Sequence, residues 1–227
     1  MSRGNAKQNI FLSNDDRLDF LDALERVVSC FSWVCHAYCL MENHYHLLIE
    51  TPEANLSKGM QNLNGTYCRL FNIKYARTGH VTQGRFLSPL IEDDGYLLEL
   101  TRYIALNPVR SELVHSPEQW RWSSYGAITG IVPVPPFLES GYILSLFSDD
   151  PARGRDAYIR FIAEGLEEPT IDRGRGVMLQ SLFRGVQDRE RRNRAISRAH
   201  LEHGFNIQEI AEYLNLSMST VYRAIGK

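Results

Sequence analysis

The chain has 227 residues and a formal net charge of −2 at pH 7, with 44% hydrophobic and 23% charged residues. These are the proportions of a soluble globular protein with one large domain or two small ones, and the near-neutral total does not announce a nucleic-acid partner. No apolar run is long enough to span a membrane and no signal peptide opens the chain, so a cytoplasmic protein with no membrane partner is expected.

Taken in order, Met1 to Asn9 is polar and turn-like. Leu18, Leu21, Leu24, Val28 and Phe31 recur at helical spacing and predict a helix over 15–31, with Ser13 or Asn14 to cap it. Residues 32–40 read as a strand, rich in aromatic and β-branched side chains. Glu42-Asn43 makes a tight turn into a second strand over 44–50, and the pair is a hairpin. Along that second strand residues two apart share a face, so His44 and His46 project together with Tyr45 behind them. Two imidazoles so placed can share a metal. Several transition metals suit imidazole, and Mg²⁺ or Mn²⁺ can join where oxygen ligands complete the sphere. Two hydrogen-bonded structural histidines are the other reading.

A helix is expected over 56–75, with Leu56, Met60, Leu63, Tyr67, Leu70 and Phe71 inward. The stretch from Arg77 to Phe86 sets Arg85 and other polar groups beside two glycines. Such a loop can approach a phosphate backbone, or can be a plain connection. A short strand is expected over 87–91, at an edge because of Pro89. A third helix runs from Gly95 to Leu106, stopped by Pro108. Tyr103 and Asn107 are four apart and lie on one face. They can form half of an active site, or be a core tyrosine and a helix C-cap.

The segment Ile131 to Pro136 signals a linker region over 131–150, which divides a domain at 1–130 from an all-helical domain at 151–227. Short helices are expected over 140–147 and 151–165. A basic helix comes next, over 187–202. Arg173, Arg175, Arg184, Arg189, Arg191, Arg192, Arg194 and Arg198 crowd this region, as a phosphate-facing patch or as a solvated face balanced by Asp188, Glu190 and Glu202. The last stretch reads as a helix-turn-helix over 206–226. Ile207, Ile210, Ala211 and Leu214 bury its first helix and Val221 and Ile225 its second, with Asn215 in the turn. Ser219, Thr220, Tyr222 and Arg223 are left for phosphates and base edges of duplex DNA. Cys30, Cys35, Cys39 and Cys68 form no Cys-x-x-Cys pair and are expected as small buried apolar residues, not zinc ligands.

The order helix, strand, strand, helix, strand, helix becomes a split β-α-β arrangement if Ser2-Arg3 supplies a first strand. The fold class is therefore α+β: an antiparallel sheet with helices packed on it, then the helical C-terminal domain.

Four stretches together carry a resemblance. They are Cys35 to Ile49, Gly79-His80 with Gln83 to Phe86, Tyr103 to Arg110, and Trp122 to Tyr125. In this order they resemble the single-tyrosine HUH transposases of insertion sequences, and within them the REP-associated tyrosine transposases. The resemblance implies a ferredoxin-like HUH domain with Tyr103 as catalytic nucleophile. It also implies a divalent metal, Mg²⁺ or Mn²⁺, held by His44, His46 and Asn107. The implied substrate is single-stranded or hairpin DNA with imperfect palindromes, cut through a 5′-phosphotyrosine. Arg85 and Arg110 within the matched stretches, and Arg191, Arg192, Ser219, Thr220 and Arg223 beyond them, are the expected DNA contacts. A second copy of the chain, as a homodimer, is a further candidate partner. Family members carry a full strand ahead of the Arg3-Gly4-Asn5 stretch and often an aromatic residue where Thr82 stands. A non-cleaving DNA-binding regulator and a metal-dependent hydrolase are the alternatives.

Overall fold

The computed structural model describes residues 1–84, 86, 88, 90–91, 93–167, 179, 182–183, 186, 188–201, 205 and 207–225. It is a mixed α+β chain of two compact units: Met1–Phe86 with Leu100–Pro169, and Leu87–Glu99 with Thr170–Lys227.

The first unit is built on a small antiparallel sheet. Strands β1 (Ser2–Arg3), β2 (Val34–Leu40) and β3 (His44–Glu50) lie in the order β1-β3-β2. The register sets Arg3 opposite His44, Ser2 and Leu40 on either side of Tyr45, and Cys39 opposite His46. The two-residue β1 is bonded on both sides. On its outer side Asn5 N–H donates to the Val81 carbonyl at 2.9 Å and Gln83 N–H to the Arg3 carbonyl at 2.7 Å, with Gly4 opposite Thr82. Residues 81–83 thus extend the sheet, where a strand at 87–91 was expected. Leu87 and Pro89 lie outside the described residues, and Ser88, Leu90 and Ile91 are not in a strand. Gly79 and Gly84, with φ of 92° and 56°, let the chain turn in and out of this short pairing.

The outer edge of β2 is covered too. Leu40 N–H donates to the Trp122 carbonyl at 2.9 Å, Ser124 N–H to the Tyr38 carbonyl at 2.9 Å, and Glu139 N–H to the Cys35 carbonyl at 2.8 Å. These bonds explain why residues 131–150, expected as a linker, fall in the first unit. Phe137, Leu138, Ile143 and Leu144 are buried there, around the short helices α4 (Tyr125–Ile128) and α5 (Gly141–Ser145). Helix α6 (Pro151–Glu167) belongs to the same unit.

Helix α1 (Asn14–Phe31) starts on a capping box between Ser13 and Asp16. Its buried stripe runs through Phe20, Ala23, Leu24 and Val27, while Leu18, expected inside, is 49% exposed. Helix α2 (Leu56–Lys74) buries Met60, Leu63, Tyr67 and Phe71 and turns Leu70 outward. Full burial of one such large apolar side chain is worth about 1.5–3 kcal/mol. The two helices cover the Tyr45 face of the sheet. The Phe20 ring lies 4.5 Å from Tyr45 and 5.3 Å from Tyr67, and Tyr67 donates to the Ile10 carbonyl. Gly59 lets α2 approach β2, since a Cβ there would lie 2.1 Å from the Trp33 ring.

The face carrying His44 and His46 meets helix α3 (Asp94–Arg110), whose residues from Leu100 onward belong to the first unit. Pro108 does not stop this helix as expected. It sits in the last turn, where Ser111 N–H still reaches the Asn107 carbonyl at 3.0 Å and Leu113 N–H the Pro108 carbonyl at 3.0 Å. Asn107 is therefore a residue within the helix, not its C-cap. Arg102 fixes the back of α3 to α6: its Nε donates to the Phe161 carbonyl at 3.0 Å and its guanidinium lies 3.5 Å from the Phe161 ring centroid.

The second unit holds helices α7 (Arg189–Leu201), α8 (Ile207–Leu214) and α9 (Met218–Ile225). Ile196, Ala199, Phe205, Ile210, Ala211 and Val221 are buried together. Asn215 takes the left-handed conformation, with φ of 51°, between α8 and α9. Ser217 Oγ accepts from Thr220 N–H at 3.3 Å and caps α9. The Gly/Arg loop expected at 172–176, together with Arg173, Arg175, Arg184, Gln187, Glu202, Asn206 and Gly226, lies outside the described residues. The four cysteines are free thiols, and Cys30 is exposed on α1 where a buried residue was expected. Among the described residues no helix is long and apolar enough to cross a membrane.

Candidate active site

Strand alternation on β3 does what the spacing predicts. His44 and His46 share one face, with ring centroids 5.0 Å apart and planes at 84°. Tyr45 points the other way and is fully buried, its hydroxyl donating to Asn64 Oδ1 on α2 at 2.6 Å. This bond and the Phe20 contact pin the middle of β3, so the two histidines are held from behind.

Helix periodicity brings the second half of the site. The Tyr103 ring lies edge-on to His46, with centroids 5.2 Å apart. One turn on, Asn107 Nδ2 donates to His46 Nε2 at 3.4 Å. Asn107 is buried, and its Oδ1 has no hydrogen-bond partner among the described residues. An unpaired buried carbonyl oxygen costs about 1–3 kcal/mol unless something takes its lone pairs. Beside two imidazoles, a cation fits that need.

His44 is half-buried, and desolvation pushes its pKa down to about 4. The charges of Arg3 and the terminal amine lower it further, and hydrogen bonding with Asn107 opposes them. At neutral pH the ring is therefore neutral and keeps a lone pair for coordination. Asn43 Oδ1 lies 2.6 Å from His44 Nδ1. Among the described residues no group of three or more His, Cys, Asp or Glu is placed to hold a metal. The donor set that fits is two histidines and one carboxamide, all uncharged. An oxygen donor from the asparagine suits a hard divalent ion.

Arg110 is half-buried in the last turn of α3. Arg85 lies outside the described residues. In the second unit Arg191 is exposed and paired with Asp188 at 3.3 Å, and Arg192 is half-buried with its Nε unpaired among the described residues. Ser219 and Arg223 are exposed on α9, joined by a bond from Arg223 Nε to the Ser219 carbonyl at 3.2 Å, and Thr220 is half-buried. Asn43, Asn64 and Arg102 escaped the sequence reading. Asn43, next to the first histidine, was the one with a visible signal.

The model of the family described as "Transposase IS200 like" matches residues 3–107. A Haemophilus influenzae protein named REP-associated tyrosine transposase is 30% identical over 119 residues, covering 47% of this chain and 67% of that protein. The structure of a REP-associated tyrosine transposase bound to a REP hairpin aligns with a TM-score of 0.49 and 16% identity, over 61% of this chain and 81% of that one. With the family's matched stretch running from β1 to Asn107, and a relative of this identity spanned over two-thirds of its length, the chain belongs to the IS200-like transposase family.

Proposed function

We propose that the chain cuts and rejoins single-stranded DNA by tyrosine transesterification, with Tyr103 as nucleophile and His44, His46 and Asn107 holding Mg²⁺ or Mn²⁺. The observation that carries this reading is the meeting of four groups in one unit. Tyr103 lies 5.2 Å from His46, His46 lies 5.0 Å from His44, and beside them is the unpaired buried Oδ1 of Asn107. Under this reading the sheet with residues 81–83 is the ferredoxin-like HUH core, and α8 and α9 are a helix-turn-helix.

A divalent ion held by His44, His46 and Asn107 would supply charge neutralisation at the phosphate and at the leaving oxygen. The chain does the rest. A phenol has an ordinary pKa of about 10 and keeps its proton at neutral pH until it attacks. As Tyr103 Oη bonds to phosphorus it gives up that proton. The bond from phosphorus to the 3′-oxygen breaks, and that oxygen leaves as a 3′-hydroxyl. The 5′-phosphate stays esterified to Tyr103, so an incoming 3′-hydroxyl can reverse the step and join a new strand. The rigid mounting of β3 and α3 holds the reacting groups in place. The site takes single strands or hairpin ends, with Arg85 and Arg110 along the backbone. Arg191, Arg192, Ser219, Thr220 and Arg223 grip a neighbouring duplex.

The test is a denaturing gel of the full chain with single-stranded hairpin oligonucleotides and Mn²⁺ or Mg²⁺. Wild type should give a metal-dependent protein–DNA band that survives denaturant, and Tyr103→Phe should lose it while still shifting DNA in a native gel. Cleavage that persists in Tyr103→Phe without the covalent band makes the chain a hydrolase. Binding without cleavage in either metal makes it a DNA-binding regulator.

A further inference from the structure

We propose that Asn43 is a positioning residue that sets the tautomer of His44 and ties that ring to the N-terminal loop. The inference rests on the metal-dependent reading above. Its basis is a chain of donor and acceptor assignments through Asn43. The Lys7 backbone carbonyl can only accept, and Asn43 Nδ2 donates to it at 3.2 Å. That fixes the amide, so the atom facing His44 Nδ1 at 2.6 Å is the acceptor Oδ1. His44 Nδ1 must then carry the hydrogen, and Nε2 is left with its lone pair. The Nε2 of His46 is already an acceptor, from Asn107. Both histidines are thus unprotonated at Nε2, and the tautomer of His44 is set by a residue outside the donor set.

Asn43 also holds the loop from Gly4 to Gln8. Its backbone carbonyl accepts from Gly4 N–H at 2.7 Å. In that loop Ala6 and Lys7 both have positive φ, 50° and 61°, a conformation that two adjacent non-glycine residues rarely share. The side-chain bond from Asn43 caps the strained turn at Lys7. Residues 5–9 are exposed. A displacement of this loop is therefore passed by one carboxamide to the first histidine.

The roles separate by substitution. Asn43→Asp keeps an acceptor for His44 Nδ1–H and loses the donor to Lys7. Asn43→Ala loses both. The full chain, labelled with ¹⁵N-histidine and free of metal, is measured by NMR at pH 8, with the His44 signal assigned by its loss in His44→Gln. Mn²⁺ binding is followed separately by the electron paramagnetic resonance of free Mn²⁺, and thermal midpoints confirm that each variant is folded. The expected result is an Nδ1–H tautomer in wild type and in Asn43→Asp, and a shift toward Nε2–H in Asn43→Ala. Mn²⁺ affinity should fall by about 10–100-fold in Asn43→Ala and be kept in Asn43→Asp. A wild-type His44 in the Nε2–H form overturns the proposal without needing any Asn43 variant. Equal loss of Mn²⁺ in both variants also overturns it, since Asn43 would then serve only the loop. A wild-type chain that shows the expected tautomers but binds no Mn²⁺ supports the setting of the ring by Asn43 and removes the metal reading instead.

Discussion

Asn107 gives one N–H to His46 and keeps a buried carbonyl oxygen with no partner among the described residues. Such an atom is a standing cost in the folded chain, and the cost marks its use. Asn107→Leu removes both the orphan oxygen and the neutral oxygen donor of the cluster. The relief of the orphan oxygen is offset by the N–H lost to buried His46, so thermal stability should change little, while Mn²⁺ affinity, read by titration calorimetry, falls by about 10–100-fold. Replacement by Asp should act the other way on the ion and tighten it, since a charged oxygen joins two neutral nitrogens. At this scale the sequence was most legible where periodicity alone decides direction. The spacing of two put His44 and His46 on one face, and the spacing of four did the same for Tyr103 and Asn107. It was least legible for Asn43, whose partners are a backbone carbonyl and a ring that only the folded turn brings together.

The elements of the sheet layer obey local rules closely, with two exceptions that have a physical cause. A strand was expected at 87–91 from its apolar run, yet residues 81–83 take the edge, because Gly79 and Gly84 allow the turns that bring them to β1. Pro108 was expected to stop α3, but it removes only the one bond to the carbonyl four residues back, and the helix runs on to Arg110 with Ser111 N–H still reaching the Asn107 carbonyl. Two predictions belong here. Gly59 is the fourth residue of α2, where alanine in place of glycine ordinarily stabilises a helix by up to about 1 kcal/mol. Against Trp33 the sign reverses: Gly59→Ala should lower stability by about 1–3 kcal/mol, measured by urea unfolding. Asp16, buried at the start of α1, makes the second. Burial raises its pKa, but hydrogen bonds from Lys74, Tyr75 and the Leu12 and Ser13 N–H groups outweigh this and hold it below the ordinary 3.8. A carboxyl with a folded pKa below its unfolded one contributes stability that is complete above the unfolded value and lost as pH falls through the folded one. Thermal midpoints should therefore decline below about pH 4 more steeply in wild type than in Asp16→Asn.

Across the chain, the expected boundary at residue 130 and the packing of residues 131–167 separate what is contiguous in sequence from what shares a core. The Pro-rich stretch from Ile131 to Pro136 has a linker's composition, and its side chains are largely exposed. Past Pro136 the chain returns to the sheet, through Leu138 and Glu139 against Cys35. No local pattern announces that return, because its partners are about a hundred residues away. The consequence is measurable. A fragment ending at 130 lacks α6, and with it the Phe161 carbonyl and ring that hold and cover the Arg102 guanidinium. It should be less soluble and melt lower than a fragment ending at 169, compared by differential scanning fluorimetry. Equal melting of the two would show that α6 adds nothing to the helix carrying Tyr103.

The covering of the sheet has a further meaning for how the molecule meets copies of itself. An open strand is a template, and chains that expose one tend to merge sheets, exchange strands or grow into fibrils. Here one side of the sheet ends in a three-residue pairing at 81–83, and the other is occupied by Trp122, Ser124 and Glu139. On the β2 side, two copies can share a continuous sheet only after one of them releases residues 122–139 from that strand. If the protein pairs in solution, the seam will run along helices, and a variant that loosens residues 122–139 will be the one that aggregates.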